Sequence, residues 1–69
     1  MYIKRIKDLR EDSDKKQTEV AGYLGIRQEV YSRYERGERT LPLEHLLKLA
    51  DLYDVSTDYI LGRTNKPKG

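Results

Sequence analysis

The strongest constraint on the fold is a glycine between two short amphipathic stretches, within the segment QTEVAGYLGIRQEVYSRYERG at residues 17–37. Val20 and Leu24 recur at helical spacing before Gly25, and Tyr31 and Tyr34 recur at helical spacing after it. Gly25 directly follows the last apolar residue of the first stretch, where a left-handed backbone ends a helix and a side chain would be penalised. The segment therefore predicts two short helices joined by a tight corner.

The second of these helices has a polar face that cannot contribute to an apolar core. Its residues are long and rich in hydrogen-bonding groups: Arg27, Gln28, Glu29, Ser32, Arg33 and Arg36. Where the second helix crosses the first, Ala21 of the first helix is small enough for a close approach. Ile26 follows the turn and can fill the angle between the helices. The polar face is therefore the candidate working surface.

Three further helices are predicted from periodicity on either side of this segment. Before it, a first helix ends near Asp12, and its apolar face is formed by Ile3, Ile6 and Leu9. After it, Pro42 suits the first position of a fourth helix, whose predicted core positions are Leu43, Leu46, Leu47, Ala50 and Tyr53, with Leu49 and Leu52 on an adjacent stripe. A short fifth helix is opened by Ser56 and Asp58 and closed by Gly62, and its apolar residues are Tyr59, Ile60 and Leu61.

Length and composition exclude several classes of protein. A chain of 69 residues allows one domain, and the absence of cysteine excludes disulfides and thiolate metal sites and favours a cytoplasmic setting. No apolar run approaches the ~18 residues of a membrane span. His45 is expected on the exposed side of the fourth helix, without the further ligands that a metal site needs. No phosphate loop or paired nucleophile and base indicates an enzyme, a cofactor or a small-molecule ligand.

The charge is unevenly distributed although the net charge is only +2. Residues 1–10 carry four basic side chains against one acidic side chain, residues 63–69 carry three basic and no acidic side chains, and residues 41–62 carry one lysine against four acidic side chains. Such polarity would orient a small protein in the field of a polyanion. Solvated helix faces would give the same counts, so charge alone leaves both interpretations open.

At these residues the chain resembles the phage repressor and Cro type of helix-turn-helix regulator, the XRE family. The similarity rests on Gln17, the spacing from Ala21 to Gly25, Ile26, the run SRYERGER at residues 32–39, and LPLEHLLKLADLYDVSTDYILG at residues 41–62. It implies an all-α, five-helix, lambda-repressor-like DNA-binding domain over residues 1–62, followed by a flexible tail or truncated linker at residues 63–69. Tyr31 departs from the isoleucine or valine that is usual in the family, and we expect its ring in the core.

The resemblance also implies roles for individual residues. In such regulators the second helix of the motif enters the major groove and its first side chains reach base edges, which here gives a base-reading set of Arg27, Gln28, Glu29, Ser32 and Arg33. The implied phosphate contacts are Lys16, Gln17, Arg36, Arg39 and Thr40. Regulators of this type commonly pair an arginine of the first helix with a glutamate near the end of the third, which places an ion pair, expected to be partly buried, between Arg10 and Glu35.

The function that the resemblance implies is regulation of transcription, most simply repression, by a homodimer bound to a palindromic site in double-stranded DNA. The expected dimer interface is Leu52, Tyr53, Tyr59 and Ile60, and the many apolar residues of the fourth helix are its independent support. The alternative is an antitoxin-like or adaptor module in which the helix-turn-helix mainly holds a protein partner. A steep dependence of duplex binding on salt would favour DNA.

Overall fold

The computed structural model describes residues 3–68, and these form five helices and no strand. The helices are α1 (Lys4–Asp12), α2 (Gln17–Leu24), α3 (Gln28–Glu35), α4 (Leu43–Tyr53) and α5 (Thr57–Ile60). The predicted all-α, five-helix architecture is confirmed. Met1, Tyr2 and Gly69 belong to the predicted ranges 1–62 and 63–69 but lie outside the described residues.

The corner between α2 and α3 has the predicted geometry. Gly25 is left-handed with φ of 73°, the N–H of Ile26 donates to the carbonyl of Ala21 at 3.0 Å, and the N–H of Gly25 donates to the carbonyl of Gly22 at 3.2 Å. This pair of bonds is a Schellman motif, which satisfies carbonyls that the end of a helix leaves free. It turns the chain so that α3 packs chiefly against α2.

Two glycines of α2 and its corner provide a matched pair of variants. Gly25→Ala should lower the free energy of unfolding by about 1–2 kcal/mol, because a β-carbon is strained in the left-handed region. Gly22 lies inside the helix, and a β-carbon there would meet no atom within 4 Å, so Gly22→Ala should raise the free energy of unfolding by about 0.5–1 kcal/mol. Urea titrations of both variants would measure the effects, and equal signs would contradict this account of the corner.

The core is one cluster of buried side chains to which all five helices contribute. Its fully buried side chains are Ile6, Val20, Tyr31, Leu49 and Ile60, one from each of the five helices. The predicted apolar positions of the first three helices are buried, apart from Leu9, which is partly buried against the same cluster. None of the described helices is both long enough and apolar enough to cross a lipid bilayer.

Two of the five predicted core residues of α4, Leu43 and Leu47, lie at the surface, whereas Leu46 and Ala50 are buried as predicted and Tyr53 is half-buried. Leu43 and Leu47 are 69% and 50% exposed, whereas Leu49 is buried. With so many apolar residues in the 11 residues of this helix, periodicity fits more than one face. The helix begins at Leu43, with Pro42 as its N-cap rather than its first residue.

The predicted exposure of His45 is wrong, because its side chain is buried. Its ring lies 6.0 Å from the ring of Tyr34, measured between centroids. His45 precedes Leu49 by one helical turn and therefore shares the face that packs on the core. Its Nδ1 is buried without a hydrogen-bond partner among residues 3–68.

The segment after α5 forms no helix but contacts the domain. The guanidinium of Arg5 donates through Nη1 to the carbonyls of Tyr59 and Thr64, each at 2.7 Å, and through Nη2 to the Asn65 side chain at 2.7 Å. It also lies 4.3 Å from the centroid of the Tyr59 ring. These contacts give the segment a path along α5, while its flexibility in solution stays a prediction.

Candidate functional site

The polar face of α3 points outward. Of the five predicted base-reading residues, Arg27, Gln28, Glu29 and Arg33 are exposed, and Ser32 is half-buried. The opposite face is formed by the buried residues Tyr31, Tyr34 and Glu35. The helix is therefore held by its tyrosines, and its row of polar groups faces solvent.

An ion pair between α1 and the end of α3 fixes the position of this helix. Arg10 Nε lies 2.7 Å from Glu35 Oε2, and Arg10 Nη2 donates to Glu35 Oε1 at 3.1 Å. The Arg10 and Glu35 side chains are 12% and 2% exposed. Arg10 Nη1 also donates to the carbonyl of Lys15 at 3.0 Å, so the same guanidinium holds the connection into α2.

The balance of forces on Glu35 keeps its carboxylate charged. Burial alone would raise the pKa of Glu35, but the hydrogen bonds from Arg10 and Gln17 favour the ionised form, and the pKa lies below its ordinary value. Burial raises the pKa of Tyr31 well above its ordinary value, and the Glu35 charge raises it further. Burial likewise raises the pKa of Tyr53 to about 12. The Tyr53 hydroxyl is buried without a hydrogen-bond partner among the described residues, and the buried Tyr31 hydroxyl interacts with the Glu35 carboxylate.

A chain of side-chain hydrogen bonds runs from this ion pair to the first residue of α3. Gln17 Nε2 donates to Glu35 Oε1 at 3.0 Å, and Gln28 Nε2 donates to Gln17 Oε1 at 2.5 Å. An ionised carboxylate can only accept hydrogen bonds, so Glu35 requires the NH₂ group of Gln17 on its side. The Gln17 oxygen must then face Gln28, and only the NH₂ group of Gln28 can meet it.

The orientation of the Gln28 amide is therefore set by residues beneath it. One N–H and the side-chain oxygen of Gln28 remain for a ligand. An adjacent donor and acceptor match the N7 acceptor and N6 donor that adenine presents in the major groove. Gln28 thus has the hydrogen-bonding pattern of an adenine reader before any ligand is bound.

Gln17 has a second set of groups at the start of α2. No described residue accepts a hydrogen bond from its backbone N–H or from that of Thr18, as expected for the first turn of a helix. Such N–H groups suit a phosphate. Beside them, Lys16 is exposed, and its backbone N–H donates to Glu19 Oε1 at 3.3 Å.

The remaining predicted phosphate contacts lie at the other end of α3. Arg36 is exposed and makes an ion pair with Glu38, with Nε and Oε2 2.8 Å apart, while its Nη1 donates to Ser32 Oγ at 3.0 Å. Arg39 and Thr40 are exposed in the following loop. Exposed ion pairs contribute at most about 1 kcal/mol, so a phosphate can displace Glu38 from Arg36 at small cost.

The structure also adds a residue that the sequence did not single out. Lys7 of α1 lines a cleft together with Gln17, Ser32, Glu35 and Arg36. The sequence assigned Lys7 only to a basic N-terminal stretch, because its position relative to α3 depends on how the helices pack. Four basic residues among the first ten were the available signal.

The predicted dimer residues do not all lie at the surface. Leu52, Tyr53 and Tyr59 are half-buried, whereas Ile60 is 1% exposed and belongs to the core of the monomer. Ile60 is therefore removed from the expected interface, because its side chain packs inward from the last turn of α5. No group of three or more histidine, cysteine or acidic side chains within residues 3–68 could hold a metal ion.

Comparison with known proteins identifies what this arrangement is similar to. A family model described as "Helix-turn-helix" (HTH_3) matches residues 6–60. The uncharacterized HTH-type transcriptional regulator YobD of Bacillus subtilis is 42% identical over 67 residues, which cover 97% of this chain and 60% of YobD. The HTH-type transcriptional regulator ImmR of the same organism is 43% identical over 65 residues, which cover 94% of this chain and 51% of ImmR.

A phage protein is also similar. The cryptic phage CTXphi transcriptional repressor RstR of Vibrio cholerae is 40% identical over 55 residues, which cover 80% of this chain and 50% of RstR. The chain thus spans about 50–60% of the length of these curated relatives.

Proposed function

Because this chain belongs to the XRE-type helix-turn-helix family, whose members regulate transcription by binding DNA, we propose that it is a repressor that binds a palindromic operator as a homodimer. The observation that carries the proposal is the outward polar face of α3, on which the Gln28 amide is held in one orientation. In this reading α3 lies in the major groove, as the reading helix of a helix-turn-helix does. The repressor named among the similar proteins supports the direction of regulation.

The base contacts follow from the chemistry of the exposed side chains. Gln28 reads an adenine, and Arg33, one and a half turns further along α3, is a bidentate donor for O6 and N7 of guanine. Glu29 can accept from a cytosine amino group. Ser32 and Arg27 complete the groove-facing set.

The phosphate contacts frame this helix on both sides. The free N–H groups of Gln17 and Thr18 and the side chain of Lys16 lie before α3 in the motif, while Arg36, Arg39 and Thr40 lie after it. Contacts of this kind set the register and most of the affinity without reading sequence.

Selection of bound sites from a random duplex pool tests the DNA proposal. The expected result is a palindrome whose half-sites lie about 34 Å apart, one helical turn of DNA. Binding should weaken steeply with salt, because each neutralised phosphate releases condensed counterions. A flat salt dependence together with no selected sequence would instead favour the protein-interaction module.

The proposed dimer surface consists of Leu52, Tyr53 and Tyr59, where half-buried apolar side chains meet at the α4–α5 corner. A Tyr59→Asp variant should place a charge on this surface and weaken dimers. Sedimentation equilibrium would measure the association. Tyr23→Asp is the matched control, because Tyr23 is an exposed tyrosine of α2. A wild-type protein that stays monomeric at high concentration and on operator DNA would contradict the dimer.

A further inference from the structure

The cleft beside α3 is a basic site that spans two parts of the domain. It has a volume of about 450 Å³ and is lined by Lys7, Gln17, Ser32, Glu35 and Arg36. Lys7 comes from α1 and Gln17 begins α2, while Ser32 and Glu35 lie in the last turn of α3 and Arg36 is its C-cap. A group bound there would contact α1 as well as the helix-turn-helix.

Lys7 is the uncommitted positive charge of this cleft. Its side chain is exposed and makes no ion pair or hydrogen bond within residues 3–68. By contrast, the neighbouring Arg10 is committed to Glu35 and to the carbonyl of Lys15. Arg36, which lines the same cleft, is held only by the exposed Glu38 carboxylate and the Ser32 hydroxyl.

The acid in the cleft does not cancel this charge. Both oxygens of Glu35 already accept hydrogen bonds, from Arg10 Nε and Nη2 and from Gln17 Nε2. Arg10 Nε lies 2.7 Å from Glu35 Oε2, and the two opposite charges give this ion pair no net charge. The cleft therefore presents a net positive charge from Lys7, with the Ser32 hydroxyl and the remaining Gln17 N–H as possible donors.

We propose that Lys7 and Arg36 hold one backbone phosphate of bound DNA between them, so that α1 is part of the DNA-binding surface. The inference rests on the proposed function, in which Gln17 and Ser32 face the DNA. Lys7 lines the same cleft as these two residues. A lysine suits this role because its ammonium is a compact charge on a flexible stem, which can follow the phosphate without fixed geometry. The contact adds affinity and register but carries no sequence preference.

The test is the salt dependence of duplex binding by a Lys7→Met variant. For the proposed homodimer, its slope of log affinity against log salt should be smaller than that of the wild type by about 1.8, because each of the two Lys7 side chains loses one phosphate, worth about 0.9 on B-DNA. Between 50 and 200 mM salt, the ratio of wild-type to variant affinity should therefore shrink roughly 12-fold. The variant should lose affinity for operator and unrelated duplexes by the same factor, and its selected site should be unchanged.

Two further variants separate charge at this position from charge in general. Lys7→Arg should restore the wild-type slope, because it returns the positive charge to the cleft. Lys48→Met removes an exposed lysine of α4 that does not line the cleft, and its slope should match that of the wild type. Thermal unfolding of all three variants should match the wild type, which excludes misfolding as the cause.

The outcomes distinguish this inference from the proposed function. If the wild type binds its selected site with a steep salt slope and Lys7→Met has the same slope, the phosphate contact is overturned while DNA binding stands. If the wild type binds no duplex, the proposed function fails first. At constant ionic strength, inorganic phosphate should not compete with the duplex for the wild type. If it does compete, and if Lys7→Met abolishes that competition, the cleft is instead a site for a free anion.

Discussion

Replacing Arg10 with methionine should lower the free energy of unfolding by about 3–5 kcal/mol, because it leaves the Glu35 charge buried without its partner. The Glu35 side chain is 2% exposed, so water cannot replace the guanidinium without opening the core. A single core in a chain of fewer than about 70–80 residues rarely supplies more than about 3–5 kcal/mol. Urea titration should therefore find Arg10→Met close to unfolded at room temperature.

The matched comparison is an exposed arginine–glutamate pair in the same chain. Arg36 and Glu38 approach as closely, at 2.8 Å, but their side chains are 55% and 53% exposed. Arg36→Met should change stability by at most about 1 kcal/mol. The double variant Arg10→Met/Glu35→Met should recover much of the loss, since replacing both buried charges with apolar groups is often neutral. An Arg10→Met effect no larger than that of Arg36→Met would contradict the structural role of the buried pair.

The same pair makes stability depend on acid pH. The pKa of Glu35 in the folded protein lies below its ordinary value of 4.5, so the folded state binds a proton at this group less readily than the unfolded state. The stabilisation is fully present above pH 4.5 and is lost as the pH falls through the folded pKa. Glu35→Gln should flatten this acid-side decline in urea titrations between neutral pH and pH 3.

The helices and the corner could be predicted from the sequence because local rules determine them. Gly25 is needed where the backbone is left-handed, and Tyr31 and Tyr34 recur at the spacing of one buried face. Periodicity was less informative in α4, where apolar residues occupy several stripes. There the packing of the other helices, and not the pattern, decides that His45 is buried and Leu43 is exposed.

The sequence predicts individual residues of the candidate site but not the hydrogen bonds that connect them. The polar face of α3 is a property of one helix and is visible in the sequence. The connection from Glu35 through Gln17 to Gln28 joins residues 18 and 11 positions apart, and it depends on side-chain conformations and on the angle between two helices. For this reason Gln17 was assigned to phosphate alone, while the structure gives it a second role beneath Gln28.

That second role predicts that Gln17 affects sequence preference. Gln28→Ala should lower operator affinity by about 1–3 kcal/mol and relax the preference at one base pair. Gln17→Met keeps the length of the side chain but removes the oxygen that holds the Gln28 amide. The amide can then rotate and present its oxygen and NH₂ in either order, so adenine should lose its advantage at the same base pair. Competition binding against duplexes with all four pairs at that position measures both effects.

Lys16→Met is the control that separates orientation from phosphate binding. Lys16 lies next to Gln17 but makes no hydrogen bond with Gln28, so its loss should weaken all four duplexes by the same factor. The double variant Gln17→Met/Gln28→Ala should discriminate no less than Gln28→Ala alone, because Gln17 acts on base preference only through the amide above it. If Gln17→Met instead weakens every duplex equally, as Lys16→Met should, then Gln17 contributes only through the phosphate and the Gln28 amide is oriented by the DNA itself.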